Sequence, residues 1–128
     1  MKKTIVRGAL ASLLAATLAG CGGGKKAVPA PPQVAQCVAC HSFDKDGPRR
    51  SGPNLYGVFG KAAAGVSGFQ YSAALKKSGI VWTETALDAY LAGPGKSVPG
   101  TRMTFSGEPD PAKRQKMIAY LRAQTAAK

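Results

Sequence analysis

Residues 37–41 read Cys37-Val38-Ala39-Cys40-His41, and this block holds the only histidine of the chain and two of its three cysteines. A domain built around it has little else to hold it together. The plausible interior groups are Leu55, Val58, Phe59, Phe69, Tyr71, Leu75, Ile80, Trp82, Leu87, Tyr90, Leu91, Met103, Phe105, Met117, Ile118 and Leu121. Glycine is frequent, 16 in 128 residues, so much of the chain must be loop and turn. Scaffolds this small and this poor in apolar surface need a staple. More cysteine would be required for a disulfide-knit scaffold, and two pairs of ligands for a structural zinc site. The length allows one domain.

No strand-like alternation lasts more than a few residues, whereas three segments carry helix start and stop signals. The first spans 72–78, with Ser72 as N-cap and Gly79 past its end. The second spans 84–92, with Thr83 as N-cap, Gly93 at its exit and Pro94 blocking continuation. The third spans 111–125, capped by Asp110 with Pro111 at its first position, and buries Met117, Ile118 and Leu121 with Tyr120 alongside. A short helical turn is expected at about 33–41. The expected class is therefore all-α, three to four short helices joined by long loops.

The N-terminus reads as an address. Lys2, Lys3 and Arg7 precede an apolar run from Gly8 to Leu18, too short to span a bilayer that needs about 20 residues but suited to a signal peptide. It ends in Leu18-Ala19-Gly20-Cys21, which resembles the lipobox of bacterial lipoproteins. That resemblance implies cleavage before Cys21, which then carries lipid. The other reading is ordinary secretory cleavage near Ala19 that leaves Cys21 a free thiol; either way the protein is exported. Residues 1–20 are thus read as signal peptide. Residues 21–32, with Gly22-Gly23-Gly24 and Pro29, Pro31 and Pro32, are read as anchor and tether, and 33–128 as the folded domain. The formal charge of +12 falls to +9 when the three cations of the signal are removed. Such basicity suggests nucleic-acid binding, but an exported protein meets no chromosome, so no nucleic-acid partner is expected.

Cys-x-x-Cys-His is the attachment signature of c-type haem. Two thiols three residues apart on one helical turn can reach the two vinyl groups along one porphyrin edge, and the next residue can project its imidazole to the iron. Three other readings stand beside it. A thioredoxin-like Cys-x-x-Cys wants a βαβ context, which the pattern does not offer; a zinc site lacks a fourth ligand; and the block can match by chance. Export favours the haem reading.

From Gly52 onward the chain resembles class I cytochrome c. The matching runs are Gly52-Pro53-Asn54-Leu55-Tyr56-Gly57-Val58-Phe59-Gly60, Gly68-Phe69-Gln70-Tyr71-Ser72, Trp82-Thr83-Glu84, Leu87-Asp88-Ala89-Tyr90-Leu91 with Pro94, Val98-Pro99-Gly100-Thr101-Arg102-Met103-Thr104-Phe105, and Met117-Ile118-Ala119-Tyr120-Leu121. The resemblance covers roughly 36–124 and implies the cytochrome c fold around one covalent haem c. It implies Cys37 and Cys40 as thioether cysteines, His41 as proximal ligand and Met103 as distal ligand. Pro53 matches the proline whose carbonyl accepts the imidazole N–H. Tyr71 and Trp82 match groups that hydrogen-bond a propionate, Tyr90 and Thr101 the polar groups beside the methionine, and Phe105 an aromatic at the haem edge. Arg50, Lys96 and Arg102 match basic positions around the exposed edge, where partners dock.

The chain departs from the family pattern in places. Pro29 and Gln33 stand where the family has a Gly and an aromatic in a longer first helix, and Pro31-Pro32 block its extension. The expectation is a truncated N-terminal helix with Val34 alone making the contact. Lys61 stands where Arg is usual, Gln36, Gly95 and Pro109 where Lys is frequent, and Glu108 is acidic. The function implied is a monomeric one-electron carrier, not an enzyme, whose His/Met iron has no open position. Implied donors are a quinol:cytochrome c oxidoreductase or a periplasmic dehydrogenase. Implied acceptors are a haem–copper oxidase, a peroxidase or a photosynthetic reaction centre. The alternatives are a fixed electron-entry subunit of a dehydrogenase complex, and a haem sensor or peroxidase in which Met103 lets go.

Overall fold

The computed structural model describes residues 29–126; the stretch read as signal peptide, Cys21 and the part of the expected tether up to Val28 lie outside the described residues. The described residues form two single-turn 3-10 helices, Pro32–Val34 and Cys37–Ala39, and four α-helices: α1 (Ala73–Lys77), α2 (Glu84–Ala92), α3 (Pro94–Ser97) and α4 (Pro111–Ala126). No strand occurs among them; one isolated antiparallel bridge joins Ala62 and Val81. Nor is any of their helices long and apolar enough to cross a membrane.

Local chemistry sets the helix ends. Ser72 Oγ accepts from the Leu75 N–H at 3.1 Å and starts α1; Gly79, at φ 65°, turns the chain away after it. Thr83 Oγ1 accepts from the Ala86 N–H at 3.2 Å and starts α2. Asp110 Oδ1 accepts from the Ala112 N–H at 2.8 Å at the start of α4, where Pro111 occupies a position whose N–H has no helical partner. Two differences from the sequence reading are informative. Pro94 does more than stop α2: its fixed φ opens the four-residue helix α3 directly behind Gly93. The turn expected at 33–41 is two separate 3-10 turns, the first packed on α4 through Val34, which is 2% exposed.

α2, α3, α4 and the first 3-10 turn make the frame. Met117 and Ile118 of α4 are buried with Leu87, Tyr90 and Leu91 of α2, and Leu75, Trp82 and Leu121 join the same cluster. Phe43 and Val98, which no periodicity marks because both sit in irregular chain, belong to it too; the Phe43 ring meets Tyr120 edge-on, centroids 5.3 Å apart. Loop conformations are set largely by glycine. The exception is Ala64, at φ 60°, the one non-glycine residue in the left-handed region among those described.

A guanidinium fork ties α4 to α2. Arg114 Nε donates to Asp88 Oδ1 at 2.8 Å and Nη2 to Oδ2 at 3.1 Å, while Nη1 donates to the carbonyls of Glu108 and Pro109 at 3.0 and 2.9 Å. Nearer the other end of α4, Arg122 pairs with Glu84 and lies over the Phe59 ring, 4.9 Å from its centroid. Hydrogen bonding to Arg114 holds the Asp88 carboxyl below its ordinary value. A carboxylate with a depressed folded-state pKa stabilises above its unfolded pKa, and that contribution fades as pH falls through the folded value. Asp88→Asn is therefore expected to melt a few degrees below the parent at pH 7, with the gap narrowing from pH ~3.9, where the unfolded carboxyl takes up its proton, and closing only as pH falls through the lower folded-state value. Thermal melts of both holoproteins from neutral to strongly acidic pH measure this.

Candidate functional site

A cavity of about 700 Å3 opens among the core helices. Its walls come from four parts of the chain: Gln36 to His41, Ser51 to Val58, Phe69 to Leu75, and Thr101 to Phe105, closed behind by Trp82, Leu87, Tyr90, Leu91 and Leu121. The lining is mainly apolar, with a few polar groups and sulfurs at fixed places, and the size lies within the 300–1,000 Å3 usual for cofactor pockets.

Cys37 and Cys40 line it together, both half-buried and neither in a disulfide. The turn that presents them is closed by Cys40 N–H and His41 N–H, which both donate to the Cys37 carbonyl, at 3.1 and 2.9 Å. Burial pushes the Cys37 thiol up and keeps it protonated. His41 is 9% exposed, and its Nδ1–H donates to the Pro53 carbonyl at 2.7 Å, which leaves Nε2 as the free lone pair of a ring that lines the cavity. Burial lowers the imidazole pKa and outweighs the opposing pull of Pro53, so the ring is neutral at physiological pH. Gly52 makes this approach possible. A Cβ there would stand 2.5 Å from His41 Cε1 and 2.9 Å from the Cys40 carbonyl, so only glycine passes.

Met103 lines the cavity, while Met117, 1% exposed in α4, is packed in the core away from it. The backbone of Met103 is held by the Thr101 hydroxyl, which accepts from its N–H at 3.3 Å and shares a 2.9 Å hydrogen bond with the Tyr90 hydroxyl. Tyr90 in turn packs on Trp82, with ring centroids 4.9 Å apart. The Tyr71 hydroxyl accepts from the Val66 N–H at 3.3 Å, so its own proton remains to donate. Burial raises both tyrosine pKa values and keeps the phenols neutral.

The structure thus brings Cys37, Cys40, His41, Pro53, Tyr71, Trp82, Tyr90, Thr101, Met103 and Phe105 to one cavity. The residues expected to dock partners divide. Arg50 is exposed beside the cysteine pair and donates to the Val38 carbonyl at 3.1 Å. Arg102 lies at the cavity itself and donates to the Gln70 carbonyl. Lys96 is exposed on α3 and does not line the cavity. Sequence reasoning did not single out Gly52, Gln70 or Arg49; for Gly52 the signal was there, a glycine just before the proline expected to hold the imidazole.

The donor set decides what the cavity can hold. Among the described residues no three His, Cys, Asp or Glu side chains gather as a metal site, and no strand flanks Cys37 and Cys40 as a thioredoxin-like context would have it. Two thiols, a neutral imidazole nitrogen and a thioether around a large apolar cavity fit a flat macrocycle with a soft-ligated iron.

Comparison with known proteins points the same way. No family model matches the chain. It is 42% identical over 91 residues to cytochrome c of Guizotia abyssinica, a match covering 71% of this chain and 82% of that protein. It is 49% identical over 85 residues to cytochrome c2 of Rhodopila globiformis, covering 66% and 79%. A cytochrome c homolog of Bradyrhizobium diazoefficiens is 49% identical over 87 residues, but the chain spans only 47% of that protein's length. The solved structure of cytochrome cH from Methylobacterium extorquens superposes with a TM-score of 0.66 at 48% identity, covering 71% of this chain and 91% of that one. The chain therefore belongs to the class I c-type cytochromes, all-α carriers of electrons rather than enzymes, with one covalently bound haem c.

Proposed function

We propose that this protein is a membrane-tethered carrier that moves single electrons between respiratory or photosynthetic complexes on the periplasmic face of a bacterial membrane. The observation that carries the reading is the meeting of Cys37, Cys40, His41 and Met103 at one cavity. Cys37 and Cys40 would hold the porphyrin by thioether bonds, and His41 Nε2 and the Met103 sulfur would hold its iron. The haem supplies a one-electron iron couple, and a thioether ligand favours its reduced state.

The chain's own groups do the rest. The Pro53 carbonyl fixes the His41 tautomer and strengthens the imidazole as a donor. Thr101 and Tyr90 hold the methionine loop at one setting, which would keep the Met103 sulfur in place in both oxidation states. Tyr71 and Trp82 would donate to a propionate, and Phe105 would pack at the haem edge. Arg50, Lys96 and Arg102 would add to a positive field that draws an acidic partner and weakens in salt. Residues 1–20 would be the export signal, Cys21 the lipid anchor, 21–32 the tether and 33–128 the cytochrome domain. Confinement to the membrane surface raises the effective concentration of membrane partners without any new contact. Those partners would be a quinol:cytochrome c oxidoreductase or a periplasmic dehydrogenase as donor. A haem–copper oxidase, a peroxidase or a reaction centre would be the acceptor, and the carrier itself would act as a monomer.

Met103→Ala is expected to keep its covalent haem but to lose the weak sulfur-to-iron charge-transfer band at the red end of the ferric spectrum; persistence of the band means that another group is the distal ligand. Cys21→Ser is expected to move the haem protein from the membrane fraction to the soluble periplasmic extract, without detergent. If the variant stays with the membrane, the anchor lies elsewhere.

A further inference from the structure

The segment 66–71 closes part of the cavity with Phe69, Gln70 and Tyr71, yet it belongs to no helix or strand. Its internal bonds are long: Val66 N–H to the Tyr71 hydroxyl at 3.3 Å and Phe69 N–H to the Val66 carbonyl at 3.4 Å. It also follows shortly on Ala64, whose left-handed backbone costs energy. Something else has to keep it in place.

Two arginines from distant parts of the chain bind alternate carbonyls of this segment. Arg49, in the loop that follows His41, donates from Nη1 to the Gly68 carbonyl at 3.3 Å. Arg102, the residue immediately before Met103, donates from Nη2 to the Gln70 carbonyl. Gly68 sits at φ 72°, and a Cβ there would stand 2.6 Å from Arg49 Nη2, so the guanidinium lies directly against the turn. On its other flank Met103 is tied to α2 through Thr101 and Tyr90. Gly100, at φ 89°, brings the same loop so close to α1 that a Cβ would lie 3.2 Å from the Ala74 methyl.

We propose that Arg49 and Arg102 are positioning residues: they clasp segment 66–71 from the loop behind His41 and from the loop that carries Met103, and through the segment couple the two. Arginine suits the task because its planar guanidinium presents several donors in a fixed fork. Each bond is exposed and individually weak. Their effect lies in acting on one strap, where loss of either frees the segment and with it the Met103 flank. Arg102 in this assignment steadies the ligand loop in addition to any part in docking.

The spectroscopic part of the test rests on Met103 being an axial ligand; the clasp itself does not. The experiment compares the parent ferric holoprotein with Arg49→Met, Arg102→Met, the double variant and Arg102→Lys at neutral pH. It follows the sulfur-to-iron band, the rate of cyanide binding, and amide hydrogen exchange at Val66 and Phe69. Each single loss is expected to weaken the band and to speed both cyanide binding and exchange roughly three- to tenfold, as removal of one exposed hydrogen bond from a charged donor implies. The double variant is expected to fall short of the product of the two singles, the sign that they share one element. Arg102→Lys should recover part of the loss. Unchanged cyanide and exchange rates in the singles overturn the clasp, and a double variant equal to the product overturns the coupling. If the parent itself lacks the band, it is the Met103 assignment that fails, and exchange at Val66 and Phe69 still decides the clasp.

Discussion

The side chains of this protein do not complete its interior. Leu75, Trp82, Leu87, Leu91 and Leu121 are counted among the buried core and also line the cavity of about 700 Å3, so core and site are one object. Protein interiors are packed to the density of organic crystals, and a domain of this size has no second core to fall back on. The haem of a class I cytochrome is then a structural member as much as a redox centre. Covalent attachment follows from the same constraint: a group that forms the core of a small domain must not dissociate.

Around that centre the chain divides the labour between helices and loops. α2 and α4, joined through Met117, Ile118 and the Arg114–Asp88 fork, give a frame whose contacts are short-range and dense. The groups proposed to surround the iron come instead from irregular chain, each held by a hydrogen bond to the backbone or to a hydroxyl: His41 by the Pro53 carbonyl, Met103 by the Thr101 hydroxyl, Tyr71 by the Val66 N–H. This arrangement suits electron transfer. As the proposed ligands, His41 and Met103 would have to keep one geometry in both oxidation states, and hydrogen bonds from fixed loops restrict them without the bulk of further helices.

The capped helices were legible because their signals are local: Ser72, Thr83, Asp110 with Pro111, and Gly79 each act within one turn. The block at residues 37–41 was legible because its chemistry depends on spacing that the sequence displays. What escaped was non-local. Phe43 and Val98 are buried by the return of other segments over irregular chain, which no periodicity encodes. Pro94 reads equally as the end of one helix or the start of another, and only the packing against α2 decides. Arg49 and Arg102 carry the same charge as any solvated residue; their carbonyl partners lie 19 and 32 positions away and leave no mark in the sequence.

The distribution of charge around the opening bears on how an electron carrier meets its partners. The exposed residues that line the cavity are Gln36, Ser51, Gln70 and Thr104, all uncharged, together with Arg102, whose guanidinium is engaged by a carbonyl. A partner pressing against this rim need strip water from few unpaired charges, and desolvation of unpaired charge is the costly term in a brief contact. Most of the basic residues do not line the cavity, and their field acts at longer range and is screened by salt. Attraction and contact are thereby largely separated: the field brings partners together, while a rim with one charged side chain lets them part, which a carrier that must release after every electron requires.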